Sequence, residues 1–173
     1  MPYELAGKTF GGTMELYFQA MCSDLKKPSK ALDASYGGEY DFWLDGIKIE
    51  VKAGRTLDKD SKEPWFKKAL SLNTAKNFDV ILEQIKPNCC DVVVFIAAFR
   101  NDILLWILNS KEVVELPTYS AKQHRGNTGE GQFHIKQANI KLLDKYKFTG
   151  KNLKLAIETA AKRNKKTTNK NKK

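Results

Sequence analysis

The chain has 173 residues, a formal net charge of +10 and an ordinary hydrophobic content of 42%. That length suits one domain with a real core and falls short of two, and the charge favours polyanion partners, either nucleic acid or an anionic membrane surface. The longest apolar run, "VVVFIAAF", is too short to span a bilayer, and the first residues lack the basic start and apolar run of a secretory leader, so a cytoplasmic protein without membrane association is expected.

"TMELYFQAMCSDLKK" opens with a candidate N-cap, Thr13, and carries Leu16, Tyr17, Ala20, Met21 and Leu25 at helical spacing before Pro28. A helix is expected from about Thr13 to Lys26. "DASYGG" then leads into "EYDFWLDGIKIEVKAG", residues 39–54, where apolar and polar residues alternate on both sides of Asp45-Gly46. Asp-Gly between alternating runs is a strong hairpin signal, because a type I′ turn needs positive φ at both central residues.

Downstream, "GRTLDKDSKEPW" is polar, and "FKKALSL" reads equally as short helix or strand. "NTAKNFDVILEQIK" shows Phe78, Ile81, Leu82 and Ile85 at helical spacing and stops at Pro87, so a helix is expected. "DVVVFIAAF" is a continuous β-branched run suited to a central strand covered on both faces. "ILLWILN" follows as its hairpin partner. "SAKQHRGNTGEGQFHIK" is a Gly-rich, mostly basic loop ending in a short strand, and "QANIKLLDKYK" and "KNLKLAIETAAKR" read as helices. A single domain over residues 1–161 is expected, with residues 162–173 as a basic, disordered tail. The order of elements gives a mixed α/β domain built on a central sheet. Cys22, Cys89 and Cys90 lack framework spacing and read as reduced thiols. His124 and His134 sit outside any Cys/His cluster, which leaves zinc chemistry without support.

With Asp45-Gly46 as the turn, Leu44 pairs with Ile47, Trp43 with Lys48 and Phe42 with Ile49; Asp41 then faces Glu50, and Glu39 faces Lys52. One face carries Tyr40, Phe42, Leu44, Ile47, Ile49 and Val51 and must be buried. The other carries Glu39, Asp41, Trp43, Lys48, Glu50 and Lys52. Directly opposed Cβ atoms lie about 4.5–5.5 Å apart, where like charges destabilise a strand pair. A divalent cation between the two carboxylates reverses that sign. Hard oxygen ligands suit Mg²⁺, which takes one or two carboxylates and leaves other positions to water and phosphate. Lys52 lies on the same face as Glu50. The competing reading is a solvated polar face with a Glu39–Lys52 ion pair.

Asp41 followed by Glu50-Val51-Lys52 resembles the signature of the PD-(D/E)XK nucleases, a group that includes type II restriction endonucleases, resolvases and repair nucleases. Tyr40 stands where that signature has Pro. The resemblance implies a restriction-endonuclease-like fold, a central mixed β-sheet flanked by helices. It implies Asp41, Glu50 and the Val51 carbonyl as ligands of Mg²⁺, with Mn²⁺ as a substitute. Lys52 would orient or deprotonate the attacking water. Members often add a carboxylate from the first helix, here Glu15, whose other reading is a first-turn Glu favoured by the helix dipole.

Lys122, Gln123, His124, Arg125 and Asn127 are the candidates for base readout, since Arg, Gln and Asn make bidentate contacts to base edges; the alternative is a polar surface loop. The expected activity is Mg²⁺-dependent hydrolysis of phosphodiester bonds in double-stranded DNA by a homodimeric, sequence-specific type II restriction enzyme. The alternatives are a Holliday-junction resolvase or repair nuclease of the same group, and a non-catalytic basic DNA-binding protein.

Overall fold

The computed structural model of the chain describes residues 7–122 and 128–168. Its elements are α1 (Gly7–Ala20), β1 (Phe42–Leu44), β2 (Ile47–Arg55), β3 (Leu57–Asp58), β4 (Phe78–Ile85), β5 (Val92–Ala98), β6 (Ile103–Asn109), α2 (Ser110–Val114), β7 (Ser120–Lys122), β8 (Thr128–Lys136), a 3-10 helix (Ile140–Tyr146) and α3 (Leu153–Thr168). The class is mixed α/β. The strands form two four-stranded sheets, ordered β1-β2-β5-β6 and β3-β4-β8-β7, where one central sheet was expected.

The first sheet is itself mixed. β2 runs antiparallel to β1 and parallel to β5, and β6 returns antiparallel to β5. Every residue of β5 is buried, as its unbroken apolar sequence requires of a strand covered on both faces. One cover consists of α1 and α3: Phe10, Met14 and Phe18, with Leu153, Ile157 and Ala160, pack on Phe42, Leu44, Ile49, Val51, Val94 and Ile96. The other is the second sheet, whose Phe78, Val80, Leu82, Ile85, Phe133 and Ile135 meet Val93, Phe95, Ala97 and Trp106. Phe95 and Phe133 stack across this seam with ring centroids 5.7 Å apart. At Gly54 the sheets approach so closely that an added Cβ would lie 2.6 Å from Val80 Cγ1 and 2.9 Å from the Ile81 carbonyl oxygen.

The hairpin has the expected register and turn. Asp45 and Gly46 take φ of 47° and 91°, and the pairs are Phe42–Ile49, Trp43–Lys48 and Leu44–Ile47. The ladder ends at Phe42, and the chain bends at Asp41. Asp41 therefore leaves the strand pair, and Tyr40 turns away from the helix-side core. Tyr40 packs with the opposite core, beside Trp43. Glu39 does not reach Lys52; its Oε2 accepts the Gly37 N–H at 2.8 Å.

Four segments differ from expectation. α1 begins at Gly7 and ends at Ala20, so Thr13 is no N-cap; its hydroxyl donates back to the Thr9 carbonyl at 2.8 Å. The segment expected as a helix around Phe78–Ile85 is strand β4, with Ile81 50% exposed on its outer face. "QANIKLLDKYK" makes a 3-10 helix. α3 continues to Thr168, past the expected start of the tail at residue 162. Among the described residues no helix is long and apolar enough to cross a membrane.

Candidate active site

β1 is the edge strand of the first sheet and only three residues long, so β2 runs on beyond it. The bend at Asp41 places this carboxylate where the next residues of β1 would have paired. Asp41 N–H still donates to the Ile49 carbonyl at 2.9 Å, while Asp41 Oδ2 accepts the Val51 N–H at 2.7 Å. A side chain thus stands in for a missing backbone carbonyl. In an extended strand a residue's N–H and C=O point to the same side, so the Val51 carbonyl faces the same corner as the Asp41 carboxylate.

Glu50 points toward the second sheet and is 2% exposed. Its Oε2 accepts the Lys86 N–H at 2.8 Å, just past the end of β4. Its Oε1 lies 3.0 Å from Lys52 Nζ. Two positions along one strand put both side chains on one face, and burial brings the ammonium and carboxylate together. Cys90 is 4.0 Å from Glu50 through its sulfur, and burial pushes its thiol up to about 12. An un-ionised sulfur is the neighbour a buried carboxylate tolerates.

Burial raises the Glu50 pKa above the ordinary carboxylate range; Lys52 and the Lys86 N–H oppose that shift, and the Asp41 charge adds to it. Burial also raises Asp41; the Val51 N–H opposes the rise, and the Glu15 charge adds to it. Asp41 thus feels the Glu15 charge, and Glu50 feels the Asp41 charge. Glu15 is central in α1 rather than in its first turn, so the dipole reading loses its basis. Its Oε2 lies 2.9 Å from Lys27 Nζ.

Among the described residues, no three carboxylate, imidazole or thiol groups come together as a metal-binding group. The expected set needs only two carboxylates and one backbone carbonyl, within what Mg²⁺ takes from protein. Half-buried Asp41, buried Glu50 and the Val51 carbonyl offer hard oxygen donors of the kind Mg²⁺ takes, and a cation there would offset the burial that raises both acids.

Of the expected DNA contacts, Lys122 is exposed at the end of β7. Gln123, His124, Arg125 and Asn127 lie outside the described residues. The β7–β8 pair adjoins the acids: burial raises the Tyr119 hydroxyl and the Glu50 charge adds to it, and Glu130 Oε1 lies 4.0 Å from Lys86 Nζ. Lys27, Lys86, Tyr119 and Glu130 escaped the sequence reading. Each lies far in sequence from the hairpin and reaches it only through tertiary packing. No protein-family model matches the chain, and neither the curated proteins nor the solved structures contain a match.

Proposed function

We propose that the chain is a Mg²⁺-dependent endonuclease of the PD-(D/E)XK kind, hydrolysing phosphodiester bonds of double-stranded DNA as a homodimeric type II restriction enzyme. The observation that carries the reading is the Lys52 ammonium 3.0 Å from the Glu50 carboxylate on β2, with Asp41 bound to the N–H of the residue between them. The mixed sheet with α1 and α3 on one face is compatible with the family fold. The second sheet on its other face, where flanking helices would be expected, is a departure.

Asp41, Glu50 and the Val51 carbonyl would hold the metal. When bound, Mg²⁺ would supply Lewis-acid stabilisation of charge at the phosphate. Lys52 has three N–H donors and uses one toward Glu50, which leaves donors for the attacking water and a phosphate oxygen. The Lys86 N–H fixes the far oxygen of Glu50 and so sets the direction from which Lys52 approaches. The net charge of +10 supplies the sequence-independent attraction to DNA. Base readout falls to the hairpin that carries Lys122 and to Gln123, His124, Arg125 and Asn127.

The test is incubation of plasmid DNA with the chain and Mg²⁺, with and without chelator. Discrete, chelator-sensitive fragments are expected. Asp41→Ala and Lys52→Ala should each abolish cutting while retaining DNA on a native gel. Junction-selective nicking would move the chain to the resolvases. Cutting at the unaltered rate by either variant would overturn the assignment.

A further inference from the structure

Lys27 lies outside the sequence signature, yet the fold builds it into the same corner. Its neighbour Lys26 is locked to β1 by a reciprocal backbone pair, Lys26 N–H to the Trp43 carbonyl at 3.0 Å and Trp43 N–H to the Lys26 carbonyl at 2.8 Å. The Lys27 stem is thereby aimed across β1. Its ammonium sits 4.0 Å over the Phe42 ring and 2.9 Å from Glu15 Oε2. Burial raises Asp41, and the Lys27 charge is one of the groups that oppose the rise. Two ammonium groups attend these acids: Lys52 lies 3.0 Å from buried Glu50, and Lys27 lies 2.9 Å from the more exposed Glu15. They differ in exposure, 19% of the side chain for Lys52 and 52% for Lys27.

We propose that Lys27 is a resident counter-cation of the site, one that competes with a divalent ion for Glu15 and Asp41 and, once displaced, contacts a phosphodiester oxygen of the bound nucleic acid. This rests on the nuclease reading. The acids tolerate one another in the free protein because the two lysines partly neutralise them. An arriving divalent ion supplies that charge and frees the more exposed lysine. An ammonium on a flexible stem at the open side of the site is the donor best placed for a phosphate approaching from solvent. Lys52 stays with Glu50 at the inner side of the site, where its remaining donors serve the scissile phosphate and the water, so a second phosphate contact falls to Lys27.

The test is calorimetric titration of Mn²⁺ into the full chain, with Lys27→Met, Lys27→Arg and Asp41→Asn alongside. Met keeps an apolar stem over Phe42 and removes only the charge. Lys27→Met should bind Mn²⁺ about two- to fivefold more tightly, the range of a partly exposed ion pair, and Lys27→Arg should match the unaltered chain. In a Lys52→Ala background, which the nuclease reading makes inactive, Lys27→Met should weaken DNA retention in the presence of Mn²⁺, and Lys27→Arg should restore it. Unchanged or weaker Mn²⁺ binding in Lys27→Met, with Asp41-dependent uptake in the unaltered chain, would overturn this inference alone. Absence of Mn²⁺ uptake, or uptake indifferent to Asp41→Asn, would overturn it together with the nuclease reading.

Discussion

Adding a divalent ion should make this protein markedly harder to melt, and Asp41→Asn should remove that gain. Both Asp41 and Glu50 titrate above their ordinary values, chiefly through burial. The folded chain therefore holds protons at these two groups more tightly than the unfolded chain does. As pH rises through the raised pKa values, ionisation costs stability; the cost is fully present above them and absent below the unfolded-state values. A bound cation at neutral pH relieves the same strain without a proton. An ion at a hundredfold excess over its dissociation constant adds about 2.7 kcal/mol to the folded state. For a chain of 173 residues that corresponds to a rise in melting temperature of about 5–10 °C. In Asp41→Asn the carboxamide oxygen can still accept the Val51 N–H, so the local geometry is kept while one charge goes. The metal-free variant should melt no lower than the unaltered chain, and its gain from Mn²⁺ should fall close to zero. Scanning calorimetry at pH 8 and pH 5, with Mn²⁺ or chelator, is the assay. Protons compete for both carboxylates, so the gain should be smaller at pH 5. A gain that survives Asp41→Asn, or no gain in the unaltered chain, would refute the electrostatic account of the site.

Two further perturbations test the frame around the site. Gly54→Ala places a Cβ 2.6 Å from Val80 Cγ1 and 2.9 Å from the Ile81 carbonyl oxygen, which should cost about 1–3 kcal/mol by overpacking; an unmoved urea midpoint would mean that the two sheets do not meet there. Asp33 is held well below the ordinary carboxylate range, first by Lys48 and then by Ser35. Its contribution is therefore fully present above the unfolded value of about 4 and lost as pH falls through the folded one. Asp33→Asn should flatten the acid side of a plot of melting temperature against pH, and an acid limb as steep as that of the unaltered chain would contradict it.

Local chemistry made the hairpin legible. Asp45-Gly46 demands one turn type, and strict alternation on either side fixes one register, so the sequence alone reached the pairs Phe42–Ile49 and Leu44–Ile47. The β5–β6 pair was legible for the complementary reason: two apolar runs of strand length joined by a short polar link have few other ways to bury themselves. The sequence did not disclose where the β1 ladder stops. That depends on Asp41 taking the Val51 N–H in place of a backbone carbonyl, a contact no alternation pattern encodes. The second sheet was hidden by β4. A helix over this segment needs apolar residues at 78, 81, 82 and 85, and these positions hold Phe, Ile, Leu and Ile. The strand buries Phe78, Val80, Leu82 and Ile85. The two sets share three members, because one extra residue in β4 breaks the alternation after Leu82.

That extra residue is a bulge with a consequence for the site. From Leu82 to Ile85 β4 advances three residues, while its partner β8 moves two, from Phe133 to Gly131. Gln84 absorbs the difference by adopting φ of 55°. Immediately beyond Ile85, the Lys86 N–H donates to Glu50 Oε2. Without Gln84, β4 would alternate regularly and Ile85 would still face inward. Ile85 would still stand opposite Gly131, so the strand would keep its reach and lose the bend and added twist that the bulge gives it. The chain beyond Ile85 would then leave the sheet in another direction, and the Lys86 N–H would lose its aim at Glu50 Oε2. Deleting Gln84 should leave a folded protein with a normal far-ultraviolet circular dichroism spectrum. Its Glu50 would have lost a donor that helps orient it, and plasmid cutting should fall by at least about tenfold, the effect of about 1.4 kcal/mol at the transition state. Bulges beside active sites commonly re-aim a group in this way. A folded deletion variant that cuts at the unaltered rate would show that Lys86 has no part in holding Glu50 for catalysis.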